Sequence, residues 1–144
     1  MHFINFTQDG QKLLFSVKSD RDPGSYYIFD KTIGKAELLL TNMPAIPVER
    51  MAERRAIKFK ARDGLELGGF LTMPSNPDGR QFPLILLPHG GPIGVSDSWF
   101  FDDDAQFLAS RGYAVLQVNY RGSSGRGIRF ENAGAKEYGG KMID

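Results

Sequence analysis

The chain has 144 residues, a formal net charge of +1, 41% hydrophobic residues and no cysteine. This is the composition of a globular protein, and its near-neutrality argues against nucleic acid or an anionic membrane as partner. The missing thiols exclude disulfides and cysteine catalysis, and no apolar run approaches the length that crosses a bilayer.

Residues 1–6 carry neither a basic segment nor a long apolar run, and with the true N-terminus expected upstream the compartment stays open. Residues 1–42 alternate short apolar runs with turn clusters. Residues 3–6 precede Thr7-Gln8-Asp9-Gly10, residues 12–17 precede a stretch ending Asp22-Pro23-Gly24, residues 26–29 precede Asp30 to Gly34, and residues 36–40 close the series. Aromatic and β-branched runs punctuated by Asp-Gly, Pro-Gly and Gly predict four consecutive antiparallel strands. Four strands make about one blade of a β-propeller, or else a free-standing meander, and one blade cannot bury both its faces.

Met43-Pro44-Ala45-Ile46-Pro47 and the charged residues 49–55 read as a connector between domains. Residues 57–61, the turn Arg62-Asp63-Gly64 and residues 65–73 predict a β-hairpin, and residues 74–80 a loop. Then comes Phe82-Pro83-Leu84-Ile85-Leu86-Leu87-Pro88-His89-Gly90-Gly91-Pro92. Four successive aliphatics predict a strand buried on both faces, as inside a parallel sheet. At the carboxyl end of such a strand open α/β sheets place their ligand crevice. Without a Cβ, Gly90 and Gly91 let a bare N–H approach that crevice, and His-Gly-Gly after this strand is how α/β-hydrolases build half of an oxyanion hole.

Residues 98–111 predict a helix with Phe101, Ala105 and Leu108 on one face, the three aspartates Asp102, Asp103 and Asp104 in its first turn, and Gly112 at its end. Adjacent aspartates point in different directions, which favours a solvated first turn over a cation site. Residues 113–118 form a further strand, so the segment reads as a parallel β-α-β unit. Asn119-Tyr120-Arg121-Gly122-Ser123-Ser124-Gly125-Arg126-Gly127 is a second glycine-rich loop at the same sheet edge. It has neither order of residues that cradles phosphate, and neither a cofactor nor a metal is expected. Residues 128–138 suggest a short helix. His89 is assigned to shaping its loop through ring hydrogen bonds, and Arg121 to an ion pair that braces the loop around it.

From residue 55 onward the order of motifs resembles the catalytic domain of the prolyl oligopeptidase family, especially its acylaminoacyl-peptidase and dipeptidyl-peptidase-like branches. The resemblance is carried by Leu87-Pro88-His89-Gly90-Gly91-Pro92, by Phe107-Leu108-Ala109-Ser110-Arg111-Gly112-Tyr113-Ala114-Val115, by Val118-Asn119-Tyr120-Arg121-Gly122-Ser123-Ser124-Gly125, and by Gly139-Gly140-Lys141-Met142-Ile143-Asp144. It implies an α/β fold in two parts. Residues 1–50 would be the terminal part of a β-propeller, and residues 51–144 the N-terminal part of an α/β-hydrolase domain. It also implies a Ser-Asp-His triad acting on peptides or acyl-peptides. In that pattern the Gly91 N–H donates to the oxyanion, His89, Gly90, Gly91 and Pro92 form the oxyanion loop, and Tyr120, Arg121 and Gly122 lie at the active-site rim. Gly122-Ser123-Ser124-Gly125 does not have the spacing of a nucleophile elbow, and the triad follows the oxyanion strand in chain order. The triad is therefore expected beyond residue 144, and the chain alone is expected to be inactive. The strand after Phe82 would then expose an open edge, predicting an insoluble or partly molten chain. Two other readings stay open: an esterase- or lipase-like α/β-hydrolase, and a non-catalytic propeller-type binding module with a vestigial hydrolase half.

Overall fold

The computed structural model describes residues 1–75, 79 and 81–143. Asn76, Pro77, Asp78 and Arg80 of the predicted 74–80 loop, and Asp144 of the last motif, lie outside the described residues. The chain divides into two compact units, Met1–Met51 with Phe100–Asp102, and Ala52–Trp99 with Asp103–Asp144.

The first unit is a four-stranded antiparallel meander, β1 (His2–Phe6), β2 (Lys12–Val17), β3 (Ser25–Asp30) and β4 (Lys35–Thr41), paired in chain order. Its turns close where the sequence places Asp and Gly: Gly10 takes φ +66°, and the Asp9 carboxylate accepts from the Thr7 hydroxyl and the Gln11 N–H. Phe15 is its one buried aromatic, stacked on Tyr27 at 5.4 Å. Phe3, Phe6, Leu38, Leu39 and Leu40 remain exposed, as expected of one sheet that cannot cover both its faces. A single 3-10 turn follows at Val48–Arg50.

The second unit is a mixed sheet in the order β5-β6-β8-β7, made of β5 (Glu53–Lys60), β6 (Glu66–Met73), β7 (Leu84–Leu86) and β8 (Ala114–Asn119). β5 and β6 are the predicted hairpin, in register from Glu53 opposite Met73 to Lys60 opposite Glu66. The charged stretch expected as connector thus enters the sheet at Glu53. Arg54 explains why: it is buried, its guanidinium bonds the Ser98 carbonyl and the Gln117 side chain, and its aliphatic stem allows a position that charge alone would forbid.

β7 runs parallel to β8, joined through α1 (Asp103–Ser110). The helix is shorter than its sequence pattern suggests, and of the expected face Ala105 is fully buried and Leu108 half-buried. Ala105, Gln106 and Ala109 face inward, Phe107 is exposed, and Phe101 belongs to the first unit. Small alanines let the helix lie close to the sheet, while Gln106 bonds both the N–H and the carbonyl of Ala52 at 2.9 Å. The helix ends as its glycine predicts. Gly112 takes φ +91°, its N–H reaches the Ala109 carbonyl, and the Tyr113 N–H reaches the Leu108 carbonyl, a Schellman closure.

The aliphatic strand has the open edge expected of it in the chain alone. β7 is the sheet's edge, with Leu84 and Leu86 59% and 60% exposed, because β8 pairs with one side of it and no described strand with the other. On one face of the sheet Ala61, Leu67, Val118 and Phe130 of α2 (Ile128–Asn132) form the core, with Phe59, Leu116 and Tyr120 against it.

Candidate active site

The carboxyl ends of the parallel neighbours β7 and β8 emerge side by side, and the loops that follow them are laced together. The Gly94 N–H donates to the Gly122 carbonyl and the Ser124 N–H to the Val95 carbonyl, at 2.9 and 3.1 Å. Asn119, the last residue of β8, accepts from the Asp97 N–H and donates to the Asp97 carbonyl. Two irregular segments with few contacts of their own are thus held as one surface by backbone bonds between them.

At its centre stands His89. Its ring stacks on Tyr120 at 4.5 Å with 17° between planes. Nδ1 lies 2.8 Å from the Gly90 carbonyl oxygen and Nε2 lies 2.9 Å from the Ser123 hydroxyl. The Tyr120 hydroxyl donates to the His89 carbonyl at 2.8 Å. Burial, and then the charge of Asp97, hold the Tyr120 pKa above its ordinary value, so the phenol keeps the proton this bond needs. Gly91 takes φ +131°, where a side chain would strain the backbone, and an added Cβ would meet Val95 at 3.0 Å. Among the described residues no group accepts a hydrogen bond from the Gly91 N–H. A donor at the carboxyl end of a parallel strand, exposed and unclaimed, can stabilise an anionic oxygen.

The structure thus brings His89, Gly90, Gly91, Pro92 and Tyr120 together. Arg121 and Gly122 sit behind them. Arg121 is buried and its guanidinium binds the Asp63 carboxylate at 2.8 Å, so the second loop is tied to the hairpin turn of β5 and β6. That hydrogen bond, reinforced by the Leu65 N–H, holds the Asp63 carboxyl below its usual pKa. The main chain at Gly122 approaches Gly134 so closely that a Cβ on Gly134 would lie 2.7 Å from the Gly122 Cα. A cavity of about 580 Å³ opens beside this cluster, lined by Pro88, His89, Pro92 and Tyr120 together with apolar residues of the sheet face and the segment ending at Ile143. Among the described residues no cluster of His, Cys, Asp and Glu could hold a metal ion.

Sequence reasoning missed Ser123, fully buried with its hydroxyl on His89, and Asp63, the carboxylate facing Arg121. The Asp-Gly turn had marked Asp63 only as a turn former.

Residues 99–144 match the prolyl oligopeptidase family. The chain is 37% identical over 145 residues to dipeptidyl aminopeptidase BIII of Pseudoxanthomonas mexicana, a match covering 96% of this chain and 21% of that protein. The chain belongs to the prolyl oligopeptidase family. Among solved structures of the family, an acylaminoacyl peptidase of Pyrococcus horikoshii superposes with a TM-score of 0.73 at 28% identity, over 99% of this chain and 22% of that one. A puromycin-hydrolyzing peptidase of Mycobacterium tuberculosis superposes with a TM-score of 0.76 at 26% identity, over 93% of this chain and 22% of that one. The chain therefore spans about a fifth of the length of the family members it matches. Both four-stranded sheets lie within the matched region of the acylaminoacyl peptidase.

Proposed function

We propose that this chain is the oxyanion-bearing part of a serine peptidase that hydrolyses peptides or acyl-peptides. The first unit is then the terminal blade of a β-propeller, and the second is the N-terminal part of an α/β-hydrolase domain. The nucleophile, acid and base of the triad lie outside the chain. Gly91 supplies one of the two main-chain donors for the tetrahedral intermediate, whose charge collects on a single oxygen as the acyl carbon is attacked. Each such donor lowers the barrier by about 3 kcal/mol.

The observation that carries this reading is the unclaimed Gly91 N–H at the carboxyl end of β7. Its loop is held rigid by His89 and Tyr120 rather than by its own regular structure. Preorganisation of this kind matters because a donor already aimed at the developing charge needs no reorganisation during reaction. Arg121 braces the rim through Asp63. The blade-like first sheet favours a peptidase over a simple esterase.

The test is an assay of the full-length gene product on aminoacyl- and acyl-peptide anilides and on simple acyl esters, with a fluorophosphonate probe to label an active serine. Labelling with amide hydrolysis supports the proposal, and the 144-residue chain alone stays unlabelled and inactive. A labelled protein that cleaves esters but no amide supports the esterase reading. An unlabelled, inactive full-length protein rejects catalysis.

A further inference from the structure

The Gly90–Gly91 peptide bond is a planar unit, and in a trans peptide the carbonyl oxygen of one residue and the N–H of the next point to opposite sides. Whatever holds the Gly90 oxygen therefore also aims the Gly91 N–H. That holder is the ring of His89, 2.8 Å away at Nδ1. A carbonyl oxygen has no proton to give, so Nδ1 must carry it, and Nε2 of the neutral ring must then accept. The group beside Nε2 is the hydroxyl of Ser123, at 2.9 Å. Ser123 has no exposed surface, and its N–H closes a turn onto the Tyr120 carbonyl at 3.0 Å, so its side chain is fixed on the β8 loop. The ring is confined on its flat side by Tyr120, whose own hydroxyl holds the His89 carbonyl.

We propose that Ser123 is a positioning residue for the oxyanion donor, acting through His89. By donating to Nε2 it completes the Nδ1-protonated tautomer that the acceptor-only Gly90 carbonyl requires and fixes the ring in the orientation that donates to that carbonyl, and this sets the direction of the Gly91 N–H. The opposite tautomer would present a lone pair at Nδ1 to the Gly90 oxygen, repel it, and release the peptide to rotate. The serine is out of reach as a nucleophile because it is fully buried. The chain Ser123–His89–Gly90 resembles a nucleophile–base pair in its atoms while having a purely orienting task. This inference rests on the peptidase reading of the Gly91 amide.

The experiment uses the full-length protein. Ser123→Ala should lower kcat by roughly tenfold or more while leaving KM within about twofold, short of the 10²–10³ that follows outright loss of a donor. His89→Asn keeps a donor where Nδ1 was and has nothing at the place of Nε2. In that background Ser123→Ala should cost almost nothing, so the two effects are strongly non-additive. Equal losses from Ser123→Ala in both backgrounds, or an unchanged kcat in the single variant, overturn the proposal. Should Ser123→Ala fail to fold, Ser123→Thr and Ser123→Val carry the comparison, since they share a shape and differ in the hydroxyl. Turnover recovered by Thr and not by Val supports the role, and equal turnover rejects it. A crystal structure of the Ser123 variant gives a readout independent of activity. A rotated His89 ring or Gly90–Gly91 peptide supports the inference, and an unmoved pair refutes it. If the wild-type protein proves inactive, the peptidase reading fails on its own, and the crystal structure still decides whether Ser123 sets the peptide.

Discussion

Gly69 lies in β6 opposite Val118 of β8, in the middle of the sheet that carries both candidate loops. A Cβ added there would stand 2.3 Å from the Gln117 carbonyl oxygen and 3.2 Å from the Val118 Cα. These are backbone atoms of a hydrogen-bonded strand, so no side-chain rotation relieves the overlap. Restoring even 3.0 Å requires β8 to retreat by 0.7 Å, the difference between the two distances. A ladder bond of ordinary length, about 2.9 Å, would then open to roughly 3.6 Å and cease to be one. Losing one or two such bonds at about 1 kcal/mol each, with residual strain, makes Gly69→Ala destabilising by about 2–3 kcal/mol. Its neighbour is the control. A Cβ on Gly68 would meet the Ile57 carbonyl at 3.8 Å, an ordinary contact, so Gly68→Ala should be neutral or slightly favourable. Hydrogen–deuterium exchange read by mass spectrometry on peptides covering β6 and β8 measures the effect. Exchange should accelerate roughly 30- to 150-fold in Gly69→Ala and stay within about threefold in Gly68→Ala. Equal exchange in the two variants would refute the reasoning.

Gly91→Ala forces a side chain onto a φ of +131° and against Val95, so kcat of the full-length protein should fall at least tenfold with the fold retained by circular dichroism. Because its folded pKa is depressed by Arg121, Asp63 contributes stability that is present above the ordinary carboxylate pKa of about 4 and is lost as pH falls through the lower folded value. Asp63→Asn should therefore flatten the acid limb of an unfolding-versus-pH curve, and an unchanged limb would refute the assignment. Arg121→Ala should lower stability or turnover, and no change in either would remove its bracing role. The chain on its own should self-associate through the open side of β7, and Leu84→Lys should reduce that association in sedimentation velocity. Sharp, reversible two-state unfolding of a monomer would contradict it.

The sequence by itself determined the elements whose cause is local. Asp-Gly and Pro-Gly punctuation marks the four strands of the first sheet, the hairpin turn at Asp63-Gly64 follows from the same chemistry, and Gly112 ends α1 because a left-handed closure needs no Cβ. The His-Gly-Gly-Pro run was legible as an irregular loop ending an aliphatic strand for a similar reason, since glycine and proline both interrupt strand pairing. What the tertiary structure decided depends on which neighbours exist. The aliphatics of β7 resemble a core strand yet form an edge, because burial belongs to the assembly of strands and not to the run of residues. The inward face of α1 is small and partly polar, because Ala105 and Ala109 are buried and Gln106 is held by the main chain of Ala52, fifty-four positions away. Arg54 reads as a surface charge until Gln117, far along the chain, is brought to it, and the ion pair expected of Arg121 acquires its partner, Asp63, only through folding. Ser123 could not be singled out at all: a hydroxyl in a glycine-rich turn acquires its task only when folding sets it 2.9 Å from a ring nitrogen thirty-four positions away. Periodicity and turn chemistry act over a few residues and are written along the chain. Hydrogen-bond partners at long range are chosen by packing, which no local pattern encodes.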